Sequence, residues 1–158
     1  MKSTELELRK NFELQQAKIN TCTYSLEKEH LPEGAWIYEP DTLEFQYKGY
    51  ECQVFRRDFG YFLYGYIAFE KGDRYYGVDY DSMPGYVHGG WTFSEELEGK
   101  WVVGFDCAHA GDYCPGHPAG AVNIPRDYKD IDFVCEQLTN FIDQLVSGDF
   151  LIKLEELS

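Results

Sequence analysis

The chain has 158 residues, 44% apolar and 27% charged, which suffices for one packed domain without disulfide or metal support and excludes wholesale disorder. Its net charge of −14 argues against a nucleic-acid partner, because phosphate backbones are held by clustered Lys and Arg. No window approaches the roughly 18 uninterrupted apolar residues of a membrane span.

The polar N-terminus, MKSTELELRKNFELQQ, lacks the apolar stretch of a secretory signal. The expected setting is therefore a reducing cytoplasm, with no membrane partner. Five cysteines, an odd number, fit that setting better than a disulfide framework. Cys22, Cys52 and Cys135 read as small buried apolar groups.

Residues 4–19 read as a helix, with Thr4 and Glu7 as a capping box and Leu8, Phe12 and Ile19 on a loose apolar stripe. Thr21 to Glu33 is polar and reads as a connector. Residues 1–33 are thus expected to be an appended helix and connector, which either packs on the domain or serves a homo-oligomer. Residues 34–158 are expected to form a single α+β domain.

From Gly34 to Phe93 the apolar period becomes two. Trp36 and Tyr38 alternate with polar neighbours. Leu43, Phe45 and Tyr47 alternate up to the turn signal Lys48-Gly49, and Tyr50, Cys52 and Val54 form the return strand. Tyr61 to Phe69 is a long aromatic strand closed by Lys71-Gly72-Asp73, and Tyr75 and Tyr76 continue its style. Such density of aromatics suits a half-buried pleated surface. It lines a ligand pocket only if polar groups converge on it.

Gly85 to Phe93 reads as a strand interrupted by Gly89 and Gly90. Lys100 to Cys107 is another strand, which runs into the loop Ala108 to His117, dense in Gly, Pro and potential ligands. The clearest helix begins at Asp127 or Asp130 and ends at Gly148. Its stripe of Ile131, Val134, Leu138, Phe141, Ile142 and Leu145 should pack on the sheet. Phe150-Leu151-Ile152 adds a short extended tail. The expected fold class is α+β: an antiparallel, aromatic-rich sheet of five to seven strands against a C-terminal amphipathic helix, with an additional N-terminal helix.

Three of the four histidines, His88, His109 and His117, lie within thirty residues, among Asp106, Cys107, Asp112 and Cys114. From Asp79 to Pro118 there are seven acids and one base, Lys100, a balance that attracts cations and repels bare phosphate. Cys107, His109, Cys114 and His117 form one legal zinc set, though not at zinc-finger spacing. His88 and His109 with Asp106 and Asp112 form another, suited to a divalent metal with open positions. Without a metal, the same residues hydrogen-bond one another and order the loop. Cys107 beside an imidazole is a minimal nucleophile pair, but the surrounding acids oppose its thiolate. No GxxxxGK[ST] or GxGxxG pattern is present.

The run His88-Gly89-Gly90-Trp91-Thr92-Phe93, then Trp101-Val102-Val103-Gly104-Phe105-Asp106-Cys107-Ala108-His109-Ala110-Gly111-Asp112, resembles a family of small uncharacterised phage and prophage proteins. Its members carry HGG-x-T-[FY] and W-x-x-GFDCAH-x-GD. Tyr128 to Glu136 resembles the family's approach to its last helix, and the likeness runs from about Leu43 to Leu145. The stretch before Gly34 looks like an addition, and Trp91 replaces a smaller aliphatic residue. The resemblance implies a phage accessory protein in the host cytoplasm, directed at host takeover or host defence.

Three functions follow as expectations. The leading one is non-catalytic binding of a small polar ligand, such as a host signalling molecule, by His88, Trp91, Asp106, His109 and Asp112. The second is a metal-dependent hydrolase using the same cluster. The third is an acidic inhibitor of a host protein, with the cluster purely structural.

Overall fold

The computed structural model describes residues 3–118 and 126–150. Six antiparallel strands form one sheet: β1 (Lys18–Thr23), β2 (Thr42–Tyr47), β3 (Tyr50–Arg56), β4 (Leu63–Phe69), β5 (Phe93–Leu97) and β6 (Lys100–Asp106). Their order is β1-β2-β3-β4-β6-β5. Helix α1 (Ser3–Leu14) lies beside β1, and α2 (Ile131–Ser147) crosses β3 and β4. The fold is the α+β arrangement expected. No helix among the described residues is long and apolar enough to cross a membrane.

The period-two pattern sets which face is covered. Register places Phe45 opposite Cys52, Cys52 opposite Ile67, and Ile67 opposite Val103. The next row is Leu43, Val54, Gly65 and Phe105, and both rows are buried. Alternation of side chains along each strand puts both rows on the helix-covered side. There α1 sets Phe12 edge-on to Phe45 at 4.8 Å. In α2, Ile131, Val134, Leu138, Phe141 and Ile142 are buried. Asp130 caps the helix by accepting the Phe133 N–H, and Gly148 ends it. A Cβ at position 65 would stand 2.5 Å from Phe105 and 3.0 Å from Val134, so Gly65 lets α2 approach the sheet closely. The other face carries Glu44, Gln53, Tyr64 and Tyr66 and stays open.

The β2–β3 turn is the expected Lys48-Gly49, with φ of 48° and 87°. Paired positive φ values match the right-handed twist of a two-residue hairpin, and Gly49 takes the second without strain.

Several expectations fail for physical reasons. The first helix ends at Leu14, not at residue 19. Lys18–Thr23, expected as the end of that helix and the start of a connector, is the edge strand β1, paired with β2. Trp36 lies in a single 3-10 turn, Ala35–Ile37. Tyr75 lies in a turn closed by Asp73, whose carboxylate accepts the Tyr75 N–H. Residues 85–92 are loop, because Gly85, Gly89 and Gly90 all have positive φ, which no strand accommodates. The side chain of Thr4 and the tail residues Leu151 and Ile152 lie outside the described residues.

Candidate functional site

The loops around β6 bring His88, Asp106, His109 and Asp112 together at the N-terminal end of α2. Asp106 closes β6, His109 and Asp112 occupy the loop that follows, and His88 lies in the loop before β5. The loop of Asp112 is pinned on both sides. Its own N–H donates to the His109 carbonyl, and the adjoining backbone pairs with Asp127. The His88 N–H donates to Gln137 Oε1 of α2 at 2.8 Å, and the His88 ring meets Phe133 edge-on at 5.3 Å.

Asp112 is the hub. Its side chain is 1% exposed. His88 Nε2 lies 2.9 and 2.8 Å from its two oxygens. Oδ2 also accepts the His109 N–H at 3.0 Å and lies 3.3 Å from His109 Nδ1. Lys129 Nζ lies 3.4 Å from Oδ1. Burial of Asp112 opposes its ionisation. The His109 amide, the His88 imidazole and the Lys129 ammonium outweigh that cost and hold its carboxyl below the usual range. Asp112 is therefore a carboxylate at neutral pH.

His109 stands between two carboxylates. Its Nε2 is 3.5 Å from Asp106 Oδ1, opposite the Asp112 contact at Nδ1. A neutral imidazole has one N–H, so one of the two contacts then sets a lone pair against a carboxylate oxygen. Asp106 is held in place by the Ala108 N–H at 3.1 Å and the Thr92 hydroxyl at 3.3 Å, both of which donate to it. The side chains of His88, His109 and Asp106 remain 21%, 33% and 22% exposed.

Gly89 makes the convergence sterically feasible. A Cβ there would lie 2.2 Å from the His109 ring, and φ is 71°. Only a residue with no side chain allows His109 to lie against this turn with its ring 5.5 Å from that of His88.

The other proposed residues go elsewhere. Trp91 is buried in the core against Phe141 at 4.9 Å and Phe105 at 5.9 Å, away from solvent. Cys107 is buried, and burial followed by the charges of Asp112 and Asp106 pushes its thiol far up. Burial likewise raises the Cys114 thiol. His117 is exposed and packs on Phe59 at 4.7 Å. The set Cys107, His109, Cys114 and His117 is thus not assembled. Among the described residues, the donors that gather within 4.8 Å of one another are those of His88, His109 and Asp112. Lys129, Gln137 and Thr92 were not singled out from the sequence. Nothing local to Lys129 ties it to Asp112. Gln137 follows Phe133 by one helical turn on the edge of the apolar stripe, a readable signal for a polar group bordering a site.

A second polar cluster lies under the sheet. Arg56 is fully buried, and its five N–H groups all find acceptors. Nε donates to Asp41, one terminal nitrogen to the Tyr61 carbonyl and Tyr128, and the other to Glu39 and the Pro40 carbonyl. Lys28 donates to Asp41 and the Glu39 carbonyl, each at 2.8 Å. Glu39 also accepts from Tyr128 and from the first N–H of α2. Two acids and two bases cancel here, and the network ties residues 24–41 to the start of α2.

A shallow trough of about 350 Å³ on the open sheet face is lined by Glu44, Glu51, Gln53, Tyr66 and Lys100, and contains none of the histidine cluster. No family model, no curated protein and no solved structure matches this chain.

Proposed function

We propose that this protein is a small phage-type accessory protein that binds a small, donor-rich polar ligand, neutral or cationic, at His88, His109, Asp106 and Asp112. The observation that carries this reading is a buried, ionised Asp112 holding two imidazoles whose outer edges stay accessible. When His88 donates Nε2–H to Asp112, its Nδ1 becomes an acceptor, and Asp106 adds acceptor oxygens beside His109. An acceptor-rich surface in an acidic region favours ligand hydroxyls, amides and amines over phosphates.

Binding is favoured over turnover by what surrounds the imidazoles. The Cys107 thiol is buried and held protonated. Among the described residues no hydroxyl hydrogen-bonds either ring, since the Thr92 hydroxyl donates to Asp106. The motifs that resemble phage proteins are the ones that supply all four residues, which supports a role in the host cell and the defeat of host defence. Thermal-shift screening against hydroxyl- and amine-bearing metabolites tests the reading. A stabilising ligand should lose its effect on His88→Ala. Equal stabilisation of that variant by every hit would overturn it. The hydrolase alternative uses the same residues and needs a metal ion.

A further inference from the structure

We infer that His88 Nε2, His109 Nδ1 and Asp112 Oδ2 form a binding site for one divalent transition-metal ion of the zinc, cobalt or nickel class. The inference rests on the location of the binding function proposed above and adds a metal ion at that location, distinct from the polar ligand.

Two of the three ligand spacings are close to those of a loaded site. Tetrahedral zinc with bonds of about 2.0–2.1 Å separates its ligand atoms by about 3.3 Å. Asp112 Oδ2 lies 3.3 Å from His109 Nδ1 and 2.8 Å from His88 Nε2, and one ligand atom from each of the three residues lies within 4.8 Å of the other two, so movements of the imidazoles would bring the set to tetrahedral spacing. Lys129 lies nearest to the other oxygen, Oδ1, and does not obstruct Oδ2. Two imidazoles and one carboxylate suit borderline metals rather than magnesium or calcium, which prefer all-oxygen shells. Both imidazoles are partly exposed, so a metal ion can reach them from solvent.

The surroundings place a carboxylate near the second nitrogen of one of the two histidines. A ligating imidazole normally donates its other N–H to a carboxylate or carbonyl. Asp106, anchored by Ala108 and Thr92, stands 3.5 Å from His109 Nε2, from where a small closure would let it accept that N–H. Metal on Nδ1 therefore places the His109 proton on Nε2 and removes the clash of a lone pair against a carboxylate. A metal on His88 Nε2 likewise leaves Nδ1 to carry that ring's proton.

The test uses the full chain after EDTA treatment, titrated with CoCl2 by visible absorption and with ZnCl2 by calorimetry. One equivalent should bind, without the intense charge-transfer band of a thiolate. His88→Ala and His109→Ala should each weaken binding at least about 100-fold, and Asp106→Asn about 10- to 100-fold with an unchanged Tm. Cys114→Ser and His117→Ala should bind as wild type does. If His88→Ala fails to fold, His88→Gln replaces it. No cobalt bound, or binding that survives both histidine substitutions, would overturn the metal site. Metabolite binding that remains His88-dependent on the metal-free chain would then leave the broader function standing. Loss of both removes both.

Discussion

The two polar clusters differ in closure. Around Arg56 every guanidinium N–H is used, the four charges cancel, and the residues are buried. Around Asp112 the carboxylate is equally buried, but the imidazoles it holds are partly exposed, and His109 stands between two carboxylates, of which a neutral ring can satisfy only one. A closed network leaves nothing for a ligand and holds elements together. An open one holds its groups in place and keeps valence unspent, which is the property of a site.

Removing the centre of the closed cluster should have the largest effect. Arg56→Met leaves Glu39 and Asp41 buried beside Lys28 alone. A loss of about 3–5 kcal/mol is expected by urea denaturation. A loss below about 1 kcal/mol would show that the network is not a structural tie. Tyr128→Phe is the next largest. It removes a donor from Glu39 and an acceptor from Arg56 and should cost about 1–3 kcal/mol, while metal binding by the folded fraction is unchanged.

In the open cluster, function and stability should separate. Gly89→Ala puts a methyl group into the His109 ring and should abolish binding at a cost of about 1–3 kcal/mol in stability. His88→Ala should abolish binding at a cost of about 1–2 kcal/mol, because the buried Asp112 loses one of its partners while the His109 amide and Lys129 remain. Losses of more than about 3 kcal/mol from either would place the histidines with the structural cluster.

Titration sharpens the contrast on the smallest scale. Asp112 has a depressed folded pKa, so its contribution is present above its unfolded value and is lost only as pH falls through the more acidic folded one. Asp132, in the first turn of α2, behaves oppositely. Burial, then Asp130, Glu39, Glu7 and Glu136, raise it from 3.8 to about 6. Its contribution is therefore present below pH 3.8 and lost as pH rises from there to about 6. Asp132→Asn should raise Tm at pH 7 by about 1–2 °C, the shift being discounted for a half-exposed carboxylate, and leave it unchanged near pH 3.5. Equal gains at both pH values would contradict this assignment.

Much of the fold was legible where one physical signal dominates. The α2 stripe, its Asp130 and Gly148 ends and the Lys48-Gly49 hairpin depend on local periodicity and φ alone. The β1 strand escaped because a bulge between Ile19 and Thr21 shifts its phase, so the period of two never appears. Grouping of His88, Asp106, His109 and Asp112 was readable because all four lie within 25 residues, in the glycine-punctuated loops that flank β5 and β6 or at the end of β6. Trp91 was misplaced because two positive-φ glycines precede it, and no periodicity predicts the side to which the chain then turns. The Arg56 network had an overlooked sign. Arg56 continues the alternation of Cys52 and Val54 onto the core face, where a charge must have partners. Which partners it takes depends on Tyr128, 72 residues away.

X-ray absorption at the zinc edge of the zinc-loaded protein tests the open cluster most directly. A shell of nitrogen and oxygen at about 2.0–2.2 Å with imidazole scattering from two rings is expected, and His88→Ala should remove it. A sulfur shell at about 2.3 Å would instead assign the metal to Cys107 and Cys114 and contradict the site built on Asp112.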